Sequence, residues 1–167
     1  LATLSSTSMS ASPAPAPISE QSRAMQAEAE RLQAAGQLDE ARGYFETALA
    51  ADPRNTDAYV GLGRIAQAQH MPGKAIGYFR EALAFDPDAR AIIAAQGEAM
   101  AQRGAVEKAR QNLARVRSLC ATAAACPEAG ALEGAIASAE SAAATHTAQQ
   151  TVHVIADTPE TPPSQSN

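Results

Sequence analysis

The chain reads as an all-α protein, an antiparallel helix-pair solenoid, and three observations predict this. The segments "GYFETALAADP" at 43–53 and "GYFREALAFDP" at 77–87 agree at eight of eleven positions, and Pro53 and Pro87 stand 34 residues apart. A phrase repeated at such a period marks a stacked structural unit. Ala accounts for 42 of the 167 residues, against 25 for Leu, Ile, Val and Phe together. Ala loses no side-chain entropy in a helix, and so few large apolar groups suit thin, close-packed helical layers. Finally, Ala75, Phe79, Ala82 and Leu83 fall on one helical face.

The elements follow in order. Residues 1–18 are an uncharged Ser, Thr, Ala and Pro leader, read as disordered, with "PAPAP" favouring extended polyproline II over helix. The start lacks a basic patch followed by an apolar run, so no complete signal peptide is visible; the remnant of one, or the linker after one, fits the composition. Helices are expected at 19–35, 38–51, 56–69, 72–85, 88–103, 105–119 and 127–144. Asp39 and Glu40 suit the positive end of a helix dipole. Asp52-Pro53 and Asp86-Pro87 end helices, because Pro lacks an N–H and disfavours helix before it. The turns within helix pairs fall at Gly36, His70 and Gly104, again 34 apart. His70 thus occupies a left-handed turn slot, where His is tolerated, and is not read as a ligand.

The register extends through the units 22–55, 56–89 and 90–121. Ala41, Ala75 and Ala109 coincide, as do Phe45, Phe79 and Leu113, and Ala29, Gly63 and Gly97. Glu28 and Gln96 interrupt a slot that Leu62 fills with an apolar side chain. The segment 127–144, with Leu132 and Ile136 four apart, has the pattern of a cap for the last apolar face, leaving Glu133 and Glu140 to water. Residues 145–167, including "TVHVIA" at 151–156, are assigned to a disordered tail.

Repeats of this length, above all "YVGLGRIAQAQHMPGKAIGYFREALAFDP" at 59–87, resemble the tetratricopeptide repeat over about residues 22–120. The resemblance implies a concave groove, lined by the first helix of each pair, that takes a peptide or helix of a partner protein. The matching groove residues are Arg23, Gln26, Glu30 and Gln33; then Asp57, Val60, Arg64 and Gln67; then Ala91, Ala94, Glu98 and Gln102. Family members that clamp a terminal carboxylate use Lys and Asn in this groove. Gln26, Val60 and Ala94 beside Glu30, Arg64 and Glu98 do not supply that pattern. Arg64 is the anchor candidate, weighed against a solvated Arg paired with Asp57 or Glu30.

Cys120 and Cys126 have five residues between them, unlike the CxxC of redox and zinc sites. They read as a disulfide pinning the cap, with two buried thiols or a metal pair as alternatives. A disulfide would imply an oxidising compartment. With the Ser/Pro leader this favours a periplasmic or secreted, envelope-associated protein over a cytoplasmic one, and similar bacterial repeat proteins carry such a Cys-linked last helix.

The chain shows no phosphate-binding loop, no GxSxG and no HExxH, so no enzyme, cofactor or metal is expected. The net charge of −5 argues against a nucleic-acid partner. The basic run Arg103, Lys108, Arg110, Arg115 and Arg117 reads as a solvated helix face, or else as a patch for an acidic partner. Self-association through the edge helices is the alternative to client binding.

Overall fold

The computed structural model describes residues 16–122 and 126–156. Among the described residues seven helices follow one another: α1 (Glu20–Ala34), α2 (Leu38–Ala51), α3 (Thr56–Ala68), α4 (Pro72–Phe85), α5 (Arg90–Gln102), α6 (Val106–Ser118) and α7 (Pro127–Ala156). No strand occurs among the described residues. The first six form three antiparallel pairs, α1 with α2, α3 with α4 and α5 with α6, stacked so that α2 meets α3 and α4 meets α5. The seventh packs on both α5 and α6.

Each pair turns by the same device. Gly36, His70 and Gly104 take φ of 79°, 55° and 83°. At each turn two N–H groups reach back to carbonyls of the helix just ended: Gly36 to Gln33 and Gln37 to Leu32, His70 to Gln67 and Met71 to Ala66, Gly104 to Ala101 and Ala105 to Met100. The left-handed residue lets the chain reverse while satisfying carbonyls that the helix end would orphan.

Close packing rests on the repeated aromatics. Phe45 of α2 lies against Gly61 and Phe79 of α4 against Gly63, so a Cβ at either glycine of α3 would strike a ring. Both rings are fully enclosed. Apolar residues gather into three clusters along the stack, and the last joins Ile93, Leu113 and Val116 to Leu132 and Ile136 of α7. The slot interrupted by polar residues is resolved in two ways. Glu28 is half-buried and pairs with Arg31. Gln96 is buried, and its amide oxygen accepts from Asn112 Nδ2 at 3.1 Å, which removes the penalty of an unpaired buried group.

The last helix differs from the expectation. It runs on to Ala156 instead of ending at 144, so residues 145–156, read as tail, are helical. No helix breaker interrupts it: no glycine follows Gly134, and the next proline is Pro159. At the other end, Arg54 donates to the carbonyls of Ala16 at 3.0 Å and Pro17 at 3.4 Å, which ties the end of the leader to the turn after α2. The rest of the leader (1–15), the segment 123–125 and the tail beyond 156 lie outside the described residues. Among the described residues, no helix is long and apolar enough to cross a membrane.

Candidate functional site

Three first helices, α1, α3 and α5, carry the positions singled out by the 34-residue register, and hollows open between them. One lies between α1 and α3, about 260 Å³, lined by Glu30, Gln33, Asp57, Val60 and Arg64 over the Phe45 ring. The next lies between α3, α5 and α7, about 270 Å³, lined by Arg64, Gln67, Ala91, Ala94 and Glu98 with Glu128 and Ala131. Arg64 is the wall between the two. A third hollow, at the α1 edge, adds Arg23 and Gln26 to Asp57, with Ile18 and Arg54.

The structure thus gathers all the sequence-derived groove residues but Gln102, which lines none of the three hollows. The register explains the exception. Gln33 and Gln67 repeat at position 101, which is Ala101 and buried; Gln102 is one place further round and faces solvent. Ala94 is only 3% exposed and forms floor instead of a contact edge. Several lining residues were not anticipated, among them Glu128 and Ala131 of α7. The signal was present: they stand four and one before Leu132, so docking the Leu132–Ile136 stripe on the stack brings their turn beside α5.

The groove's charges are sparsely partnered. Gln26 Nε2 donates to Glu30 at 2.8 Å and lies 3.5 Å from Asp57. Arg64 is exposed and makes no ion pair with Asp57 or Glu30; its charge acts on Glu98. Burial pushes the Glu98 carboxyl above the ordinary glutamate range, and Arg64 only partly offsets this. Glu128 Oε1 sits 3.8 Å from Arg90, while its Oε2 is buried without a hydrogen-bond donor. Carboxylate acceptors, the amides of Gln26, Gln33 and Gln67, and the guanidinium of Arg64, over the Phe45 ring in one hollow and alanines in the next, are groups suited to non-covalent recognition.

Other sequence candidates take structural places. His70 holds the turn between α3 and α4. The basic run of α6 is not a bare patch: Arg110 pairs with Glu107 at 2.5 Å and with Glu140, Arg117 with Glu133 at 2.6 Å, and Arg115 donates to the Pro87 carbonyl at 2.6 Å. Two of these arginines brace α7 against α6. Cys120 and Cys126 stand at disulfide distance, Cα atoms 5.8 Å apart, across the link from α6 to α7. Among the described residues no group of three or more His, Cys, Asp or Glu could hold a metal ion.

Residues 27–90 match the family model for the tetratricopeptide repeat. No curated protein matches the chain. Solved structures match it with the same architecture. The type III secretion chaperone SycD of Yersinia enterocolitica, in complex with a peptide of the translocator YopD, is 20% identical with a TM-score of 0.62, covering 77% of this chain and 96% of that one. PcrH from Pseudomonas aeruginosa is 19% identical with a TM-score of 0.63, covering 74% and 96%. The first TPR of Spaghetti (RPAP3), bound to the HSP90 peptide SRMEEVD, is 18% identical with a TM-score of 0.61, covering 71% and 94%.

Proposed function

We propose, from the premise that this chain is a tetratricopeptide-repeat protein of about three repeats and a terminal helix, that it is a non-enzymatic module that binds a peptide or helix of another protein in its concave groove. The observation that carries this reading is the pair of open hollows flanking Arg64, lined by α1, α3, α5 and the start of α7. Polar groups rimming hollows floored by Phe45 and by alanines suit an extended segment, which gains affinity from a preorganised surface. Two proteins of the same fold, SycD and the first TPR of Spaghetti, are each seen in complex with a peptide.

The test is steric, so that it does not depend on the charge of the ligand. Ala91 is exposed at the edge of the second hollow. Ala91→Trp should abolish binding of any peptide selected on the protein, with circular dichroism unchanged, while Glu81→Lys on α4 should leave it intact. Equal loss from both changes, or none from either, contradicts groove binding.

The same proposal extends to an adaptor role in a bacterial envelope assembly. The cysteine pair at disulfide distance and the uncharged Ser/Ala/Pro leader support export. Mass spectrometry of unreduced native protein should find Cys120 joined to Cys126; two free thiols in a periplasmic extract would remove this argument. A second reading, self-association through an edge helix, is favoured by α7, whose residues 141–147 are all exposed. Light scattering separates the two, since a monomer at working concentration excludes the second.

A further inference from the structure

We infer that the occupant of the groove is a basic segment of a partner protein, with two Lys or Arg side chains seated in the two acidic hollows beside Arg64. The inference rests on the groove reading above and adds the chemistry of the ligand.

Each hollow holds two carboxylates with unused acceptor capacity. Glu30 and Asp57 share one internal donor, the Gln26 amide, and neither joins an ion pair. Glu98 has no hydrogen-bond or ion-pair partner, and Glu128 keeps one oxygen without a donor. A carboxylate offers about four lone-pair positions, and bonds from a cationic donor are the stronger kind. Burial already disfavours the charged form of Glu98, so a cation arriving there would relieve an existing cost. The second hollow also has an apolar wall of Ala91, Ala94, Ala95 and Ala131. Long basic side chains bury an aliphatic stem on such a wall and place the head at its polar end.

The register sets the spacing. Glu30, Arg64 and Glu98 occupy one slot of the 34-residue repeat, so the groove alternates acidic, basic, acidic. Packed helices lie about 8–10 Å apart, and an extended chain advances about 3.3 Å per residue. Two cations about three residues apart would therefore enter neighbouring hollows, with the residues between them crossing Arg64. Residues 1–15 and 157–167 do not complement this pattern. Residues 1–15 contain no charged residue, and 157–167 contain Asp157 and Glu160 but neither Lys nor Arg. An acidic ligand terminus would face the carboxylates.

Short random peptides displayed on phage and selected on the full chain test this, with enriched sequences synthesised and titrated by calorimetry. Enriched peptides should carry paired Lys or Arg at that spacing. Their affinity should fall about tenfold or more in Glu98→Lys and in Asp57→Lys, less in Glu98→Gln, and should weaken as salt is raised. All should fail on Ala91→Trp. Peptides that are acidic or uncharged yet still blocked by Ala91→Trp would overturn the basic occupant and leave the groove standing. Binding indifferent to Ala91→Trp would overturn the groove reading, and this inference with it. Failure to enrich any peptide would count against both.

Discussion

The two copies of the same phrase end differently: "ADPRN" closes the joint between the first and second units, "FDPDA" the joint between the second and third. In the first, Asp52 accepts from the backbone N–H of Ser19 and Arg54, both at 3.0 Å, and pairs with the Arg54 guanidinium at 2.8 Å. Asn55 caps α3 by accepting from Ala58 N–H, and its amide donates to Ser22 Oγ, which donates in turn to the Ala48 carbonyl at 2.7 Å. In the second, Ala89 stands at the N-cap of α5 with no side-chain bond. That joint is held from elsewhere: Arg115 of α6 reaches the Pro87 carbonyl, and Phe85 stacks on Tyr59 with ring centroids 6.3 Å apart. A repeat thus conserves its helices and varies its joints. The helices must fit identical neighbours, whereas a joint needs only its local polar groups satisfied, and several side-chain sets do that.

The largest expected effect treats the two copies alike. Phe45→Ala and Phe79→Ala each remove a fully enclosed ring over a glycine, at a cost of about 3–5 kcal/mol. That is a large share of a small domain's stability, so each variant should lose most of its cooperative thermal melt by circular dichroism. A melt within a few degrees of wild type for one ring alone would show that the copies are not equivalent.

The joints should then separate. Asn55→Ala removes both a cap and the partner of a buried hydroxyl, costing about 1–2 kcal/mol by urea denaturation. Ala89→Asn should restore the missing cap and stabilise by about 0.5–1 kcal/mol. No gain at Ala89 would mean that the second joint cannot accept the first joint's device.

The smallest effect is one of pH. The Arg54 side chain, with the backbone N–H groups of Ser19 and Arg54, lowers the Asp52 carboxyl to about 2, below its usual value of about 3.9. A depressed acid favours the folded state above its unfolded value and loses that contribution as pH falls through the folded one. The stability gap between wild type and Asp52→Asn should therefore be full near neutral pH and close between about pH 4 and 2. A gap that stays constant across that range would remove Asp52 from the joint.

Much of the groove was legible because it follows the repeat. Counting by 34 from Arg64 reaches Glu30 and Glu98, and the hollows lie where those positions predict. Gln102 failed because the count was one place off, and Glu128 was missed because α7 lies outside the register. Neither the burial of Ala94 nor the unpartnered oxygen of Glu128 has a local signature; both depend on how α7 packs against α5.

What the sequence determined by itself was everything carried by short-range geometry: six helices within two residues of their bounds, the left-handed turns at 36, 70 and 104, and the stacking order. The helices depend on neighbours three or four residues away, and the turns and stacking order follow the 34-residue period, so the pattern states them directly. Tertiary structure alone decided which charges meet. Arg110 finds Glu140 thirty residues on and Arg117 finds Glu133 sixteen on, turning an apparent basic patch into the brace of the cap. It also decided the polar pair of Gln96 and Asn112, and the isolation of Arg64 between two acidic hollows. Ion pairs and cavities form between surfaces brought together by packing, and one-dimensional spacing does not encode the distance between helices far apart in the chain.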